Sequence, residues 1–267
     1  MRGLASLASA CALFALGGCG LIEDMRAEYV ANRALRKATE ELASDAPHLD
    51  RMRADLDLAY RLRRQDPAFL ARLAPLYQGA GGYEKAIRCY EAAVKLEGKP
   101  RDREIGYCLL KLGKTKSGVE RLETALKQGS EELAAGRISP AEYANILNDA
   151  GYALADASVR VDDAFEMVQE AVRIAPVVPA YMDSLGWAYY RRREYRDAAF
   201  HLERAARLAG RRDAEIVWHL GAVHARLGKL RRAERELRLA LQLDPANAEA
   251  ERMLRDMRRE LPPPATA

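Results

Sequence analysis

Apolar residues recur along most of this chain at the spacing of an amphipathic helix, and the pattern is clearest in its last third. Leu185 and Gly186 mark one helix, and Ala198, Leu202 and Ala205 follow at i, i+4 and i+7 on the next. The small residues predict a close contact, because larger side chains would push two packed helix axes beyond the usual separation of roughly 8–10 Å. This stretch therefore predicts a helix hairpin in which Gly186 faces Ala198.

The hairpin pattern repeats along the chain at an interval near 34 residues. In four of the five copies the small residues of the two helices stand twelve positions apart, as from Gly186 to Ala198, and in the copy at 144–178 they stand thirteen apart. The copies span residues 67–98, 99–130, 144–178, 179–213 and 214–247, and a closing helix is predicted at 248–260. The repeat region as a whole is therefore predicted to cover 67–260.

One insertion breaks the regular interval. Ala125 and Ala171 are 46 residues apart, so about a dozen extra residues lie around 131–138. Directly after the insertion, Ser139 is followed by Pro140 and, three residues on, by Glu142, which predicts a capping box at the start of a helix.

The two ends of the repeat region carry weaker signals. Met52, Leu56 and Ala59 have the second-helix spacing, but Thr39 and Glu40 stand where the first helix should have Leu and Gly. Residues 33–66 are therefore predicted to be a degenerate repeat within an N-terminal helical segment at 19–66. Three prolines in 261–267 predict a disordered tail.

The repeat resembles the tetratricopeptide family in its period and in its small and large positions. The resemblance implies an all-α fold, a right-handed superhelical α-solenoid of tetratricopeptide helix hairpins. Three stretches are similar to bacterial tetratricopeptide lipoproteins, namely Asn148–Asp156, Asp183–Trp187 and His219–Gly221. That group includes outer-membrane adaptors of periplasmic proteases and assembly lipoproteins of pili and secretins.

The N-terminus has the features of an export signal. Residues 1–18 hold one charge, Arg2, and an apolar run that is too short to span a bilayer as a permanent helix. The run ends in Leu16-Gly17-Gly18-Cys19, which resembles the cleavage box of bacterial lipoproteins. The resemblance implies that Cys19 carries a covalent lipid and that Gly20 favours sorting to the outer membrane, on its periplasmic face. An ordinary signal peptide with an incidental cysteine is the alternative.

Composition and motifs narrow the classes of function. The net charge is +4, which does not by itself indicate nucleic-acid binding. The four histidines are scattered, and the chain has no Gly-rich phosphate loop, nucleophile elbow or paired-cysteine metal spacing. We therefore expect no enzyme activity, no metal and no cofactor other than the lipid.

Two further features leave alternatives open. An exported chain meets oxidising conditions, so Cys89 and Cys108 could form a disulfide or remain as two buried thiols. The stretch from Trp187 to Arg212 has eight basic and three acidic residues, a net charge of +5. That excess is consistent with a solvated helix face or with an acidic partner, either anionic lipid or protein.

The resemblance also places a binding groove on the first helices. Family positions that point at ligand correspond to Arg103, Tyr107, Asn145, Asn148, Tyr152, Asp183, Trp187, Tyr190 and Trp218. Aromatic and amide side chains suit the binding of a peptide or partner helix. The rings of Trp187 and Trp218 are predicted to be neighbours on the groove floor; the alternative is that both pack between repeats.

Together these features predict an adaptor in the cell envelope, anchored by its lipid, that binds a partner protein in the groove. The resemblance implies a periplasmic protease or a cell-wall enzyme as the partner. A structural assembly factor of an envelope machine, similar to a pilotin, is the alternative.

Overall fold

The described part of the chain is helical throughout. The structure, a computed structural model, describes residues 4–42, 44 and 48–260, with side chains between residues 23 and 257. Its helices are α1 (Leu4–Leu42), α2 (Leu49–Arg63), α3 (Pro67–Gly79), α4 (Tyr83–Glu97), α5 (Asp102–Lys111), α6 (Thr115–Ala134), α7 (Pro140–Asp156), α8 (Val161–Ile174), α9 (Pro179–Arg191), α10 (Tyr195–Leu208), α11 (Ala214–Arg226), α12 (Leu230–Leu243) and α13 (Ala248–Glu260). The side chain of Cys19 and the predicted tail at 261–267 lie outside the described residues.

The first of two compact units holds α1–α4. Met52, Leu56 and Ala59 are fully buried on α2, which packs against α1. The α1 side of this hairpin buries a run of mostly alanine residues at helical spacing: Ala31, Ala34, Leu35 and Ala38. Small side chains thus stand at the interface of the degenerate repeat, and the sequence signal lies in these alanines, from eight residues to one residue before Thr39.

The second unit holds α5–α13 and consists of hairpins that share one packing pattern. Each odd-numbered helix from α5 to α11 pairs with the helix after it and also packs against the first helix of the next hairpin. Each second helix packs against the following first helix, and α12 packs against α13. The first helices α5, α7, α9, α11 and α13 therefore form one continuous surface, which we call the inner face.

The predicted repeat region at 67–260 has helices in both compact units. The boundary falls at Lys99 and Pro100, so the hairpin α3–α4 belongs with α1 and α2. The physical reason is that α3 packs on both α2 and α1, while α4 ends at Gly98 in the left-handed conformation (φ 71°). Within the described part of the chain, no helix combines the length and the apolar character needed to cross a membrane.

Half of the insertion predicted around 131–138 is helix, namely residues 131–134. It lengthens α6 to 20 residues, compared with 14 in α8, before Gly136 ends the turn at φ 65°. The added turns pack closely on α7. At Gly129 an added Cβ would lie only 2.6 Å from Ile146 Cδ1 of that helix. The predicted capping box is confirmed: Ser139 accepts a hydrogen bond from the Glu142 amide, and the Glu142 side chain accepts one from the Ser139 amide.

Glycine sets the distance between the two helices of a hairpin. A Cβ at Gly186 would lie 2.6 Å from Leu202 Cγ and 3.1 Å from the Leu202 backbone nitrogen. The same relation holds at Gly221, where an added Cβ would meet Leu237 Cγ at 2.9 Å. The nearest partner of Gly186 is thus Leu202, one turn beyond the predicted Ala198, because side chains on a helix project toward its N-terminus and cover the preceding turn.

This contact predicts that Gly186→Leu destabilises the protein. Overpacking a tight site typically costs about 1–3 kcal/mol, so the melting temperature should fall measurably. Ala180→Leu is the control, because Ala180 is exposed on the same helix, α9. Equal melting temperatures for the two variants in a thermal denaturation experiment would contradict the close contact.

Candidate functional site

An aromatic cluster lies at the centre of the inner face. The Trp187 ring of α9 stacks on His219 of α11 at 4.0 Å between centroids and on Tyr190 at 4.6 Å. The Trp218 ring meets Trp187 edge to face at 5.1 Å. The two indoles are therefore neighbours, as the sequence predicts, and they join adjacent hairpins.

Three of the predicted groove residues are not available to a ligand. Trp187 is 1% exposed, Asp183 5% and Asn148 7%. The guanidinium of Arg191 lies over the Trp187 ring at 4.6 Å from its centroid, which helps to close it from solvent. Trp187 is thus core between repeats, and for this residue the prediction of a groove floor is wrong. The reason is that α9 and α11 pack directly, so a large ring on α9 is covered by its neighbours.

The other predicted groove residues reach the surface of the inner face. Asn145 is exposed, while Arg103, Tyr107, Tyr152, Tyr190 and Trp218 are half-buried. Most of them already contact neighbouring hairpins: Arg103 donates to Asp149 at 2.7 Å, Tyr152 to Glu215, and Tyr181 to Asn145. The Tyr190 hydroxyl accepts from Arg226 at 3.3 Å. Sequence reasoning thus located the surface but not the contacts that hold its side chains in place.

An ion-pair network crosses the inner face. Lys111 at the end of α5 pairs with Asp156 of α7 at 3.1 Å and with Glu249 of α13 at 3.8 Å. Arg191 of α9 donates to the Asp156 backbone oxygen at 2.7 Å. Side chains of the first and last helices of the unit therefore meet, which makes the inner face narrow. The sequence does not predict this network, because its members lie on four different helices.

The carboxylates of the inner face differ in their electrostatic surroundings. Burial raises the pKa of Glu215, against the opposing charge of His219, and burial likewise raises the pKa of Asp149 despite Arg103. Burial also acts to raise the pKa of Asp156, but Lys111 and Arg191 outweigh it, so that this pKa is lowered. The side chains of Asp149 and Glu215 nevertheless reach the surface. Asp149 already has Arg103 beside it, whereas Glu215 would be stabilised in its charged form by a cationic neighbour.

A buried ion pair holds one ring of the aromatic cluster, His219, in place. His219 is fully buried, and its Nδ1 lies 2.9 Å from Asp183 Oδ2. Burial alone would lower the pKa of His219, but the negative charge and hydrogen bond of Asp183 outweigh it, so that the pKa is raised. Asp183 therefore has a structural role, because it holds His219 against Trp187 and favours the charged form of the imidazole, which corrects its assignment as a groove residue.

The remaining chemical candidates have structural surroundings. Cys89 and Cys108 are buried and not in a disulfide, the first in the α1–α4 unit and the second in the α5–α13 unit. Burial raises the pKa of the Cys89 thiol to about 12, which makes it a poor nucleophile. Over the described residues, no group of three or more His, Cys, Asp or Glu side chains could hold a metal ion.

Comparison with known proteins agrees with this architecture. Residues 184–248 match the family model of the tetratricopeptide repeat. The TPR repeat-containing protein PA4667 of Pseudomonas aeruginosa is 34% identical over 107 residues, which is 40% of this chain and only 18% of the length of that relative. Among solved structures, TTC0263, a thermophilic TPR protein of Thermus thermophilus, has a TM-score of 0.56 and 20% identity, and the match covers 72% of this chain and 99% of that one. The all-α tetratricopeptide solenoid is thereby confirmed as the fold.

The buried pair predicts a pH-dependent effect of Asp183→Asn on stability. The folded-state pKa of His219 is raised above its ordinary value of about 6.5. The contribution of the His219–Asp183 pair to the free energy of unfolding is therefore fully present below pH 6.5. That contribution is lost as the pH rises through the raised pKa. Breaking a buried pair typically costs about 3–5 kcal/mol, so the destabilisation should be largest at acidic pH and should shrink as the pH rises.

The measurement is the free energy of unfolding of both proteins in denaturant at a series of pH values. Glu166→Gln is the control, because Glu166 is exposed on α8. A loss of stability that is constant across pH, or one that grows as the pH rises, would contradict a pKa of His219 raised by Asp183.

Proposed function

We propose that this tetratricopeptide-repeat protein is a lipid-anchored adaptor of the bacterial cell envelope that holds a partner protein near the membrane. The observation that carries the proposal is the order of two features in one chain. An apolar run ends in Leu16-Gly17-Gly18-Cys19, and helical repeats follow after a helical segment. Gly20 favours sorting to the outer membrane, so we place the protein on the periplasmic face of that membrane.

The repeats supply the reason for an interaction role. Tetratricopeptide repeats generally act as non-catalytic scaffolds that bind protein partners, because stacked hairpins form an extended surface. The inner face offers Asn145, Tyr152 and Trp218 at that surface, and such amide and aromatic groups can pair with a peptide backbone and cover apolar side chains. We assign the partner segment to this part of the inner face.

The charges of the inner face favour one kind of segment. Glu215 is an accessible carboxylate whose pKa is raised by burial, so a Lys or Arg side chain beside it would stabilise its charged form. A basic and partly aromatic or aliphatic segment of a periplasmic protease or cell-wall enzyme would satisfy both properties.

The lipid anchor is tested by Cys19→Ala. Without the thiol no thioether to lipid can form, so we expect an uncleaved precursor and complete loss of palmitate labelling in cells. Cys11→Ala is the matched control, because it removes the other cysteine of the N-terminal apolar run and should leave processing and labelling unchanged. If the Cys19→Ala variant is still processed and labelled with palmitate, the lipoprotein interpretation is wrong.

The binding surface is tested by comparing Trp218→Ala with Trp187→Ala. Trp218 is half-buried, so its truncation should weaken partner capture from detergent-solubilised envelopes like a hot spot, by about 2 kcal/mol or more. Trp187 is core, so its truncation should lower the free energy of unfolding by roughly 3–5 kcal/mol. Capture is measured by quantitative mass spectrometry, and stability by denaturant titration.

Gln169→Ala, on the exposed side of α8, is the control for capture. If Trp218→Ala captures the same proteins in the same amounts as wild type, the inner face is not the binding surface.

A further inference from the structure

An exposed aromatic side chain stands among arginines on the outer side of α10. Phe200 is 61% exposed, opposite the buried stripe formed by Ala198, Leu202 and Ala205. Arg196 and Arg204 lie one helical turn before and after Phe200, and Arg207 lies two turns after it, on the same side of the helix. Phe200 is thus an apolar group surrounded along its helix by guanidinium groups.

The neighbouring second helix continues this surface. Arg232 Nη2 of α12 lies 2.9 Å from Glu203 Oε1 of α10, so a side-chain ion pair bridges the two second helices. The side of α12 away from its core presents Arg231 and Arg235, both exposed. We call the surface formed by Arg193, Arg196, Phe200, Arg207, Arg231 and Arg235 the basic outer surface.

The guanidinium groups of this surface are not compensated from within the protein. Over the described part of the chain, its five arginines have no carboxylate within ion-pair distance, whereas nearby Arg192, Arg211 and Arg238 each have at least one. All five are exposed, so they add nothing to the core. Three of the eight basic residues of the 187–212 stretch, Arg193, Arg196 and Arg207, therefore belong to this surface, together with two arginines of α12.

We propose that the basic outer surface lies against an anionic membrane surface. Guanidinium groups bind lipid phosphates with charge-assisted hydrogen bonds, and an aromatic ring beside them enters the interfacial layer. This inference rests on the proposed function in one respect only: a lipid anchor would keep the chain near a bilayer and raise the effective concentration of the surface.

The chemistry favours a membrane over an acidic protein. A stable protein interface buries about 800 Å² on each partner around a largely apolar centre with few charges. The basic outer surface has a single exposed aromatic residue, Phe200, and otherwise charged side chains. An anionic bilayer presents phosphates everywhere along its plane, so it can bind dispersed arginines without matching their exact positions.

The experiment uses the full chain carrying Cys19→Ala, so that no attached lipid contributes to binding. Co-sedimentation compares vesicles of phosphatidylcholine with vesicles of phosphatidylcholine and phosphatidylglycerol in equal parts. Because the N-terminal apolar run is present in every protein, the difference between the two vesicle types isolates the charge-dependent binding. We expect preferential binding to the anionic vesicles, and weaker binding as the salt concentration rises.

Two triple variants then locate the binding. Each basic residue near an anionic surface is worth about fivefold in partitioning, so R196Q/R207Q/R235Q should bind anionic vesicles about 100-fold more weakly. The matched control K116Q/K127Q/R137Q removes the same charge from exposed positions on α6 and the loop after it, and should bind nearly as the parent does. Circular dichroism melts confirm that both variants remain folded, as expected for exposed positions.

Three results would overturn the proposal. The first is equal binding of both vesicle types, and the second is an equal loss of binding in the two triple variants. The third is capture of polyglutamate without binding to anionic vesicles, which would identify an acidic protein as the occupant. None of them bears on palmitate labelling of Cys19, so failure here and failure of the lipid anchor are distinguishable.

Discussion

The close approach of two helices at a glycine is the constraint on which the second unit depends. At Gly106, Gly151, Gly186 and Gly221 an added Cβ would lie between 2.6 and 2.9 Å from a side chain of the second helix. Such spacing leaves no room for a layer of large side chains inside the hairpin. Large aromatic rings lie between successive hairpins instead, where Trp187 of α9 stacks on His219 of α11.

The same constraint explains why the inner face is crowded with internal contacts. Hairpins that pack closely bring polar side chains of neighbouring first helices within hydrogen-bonding distance, as Arg103 and Asp149 show. The ion pair of Lys111 with Glu249 extends these contacts from α5 to α13. A partner that binds here has to use side chains which the neighbouring hairpins already orient, and this favours a preorganised surface of limited area.

The inner and outer surfaces of the second unit differ in how their charges are balanced. On the inner face, burial of Asp156 is outweighed by cations such as Lys111 and Arg191, which neutralise this carboxylate and lower its pKa. On the outer side of α10 and α12, arginines such as Arg196 and Arg235 have no such partner over the described residues. A protein held at a membrane by one side while binding a partner on the other would use this difference, with the uncompensated charge toward the lipid.

The sequence by itself determined the hairpins, because their spacing is a local property. Helical periodicity, the small residues at Gly186 and Ala198, and the capping box at Ser139 each act within one or two helices, and all are readable along the chain. The alanine-rich interface of α1 could also have been read, from Ala31, Ala34 and Ala38, since it too has helical spacing.

Only the tertiary structure decided what each side chain of the inner face contacts. The family positions of Trp187 and Asp183 indicate the direction of each side chain, but burial depends on residues more than thirty positions away, such as His219. The ion pair between Lys111 and Glu249 joins helices that are still farther apart in sequence. Periodicity fixes which side of a helix faces its neighbours, whereas the identity of those neighbours follows from how the hairpins stack, and stacking is a property of the whole unit.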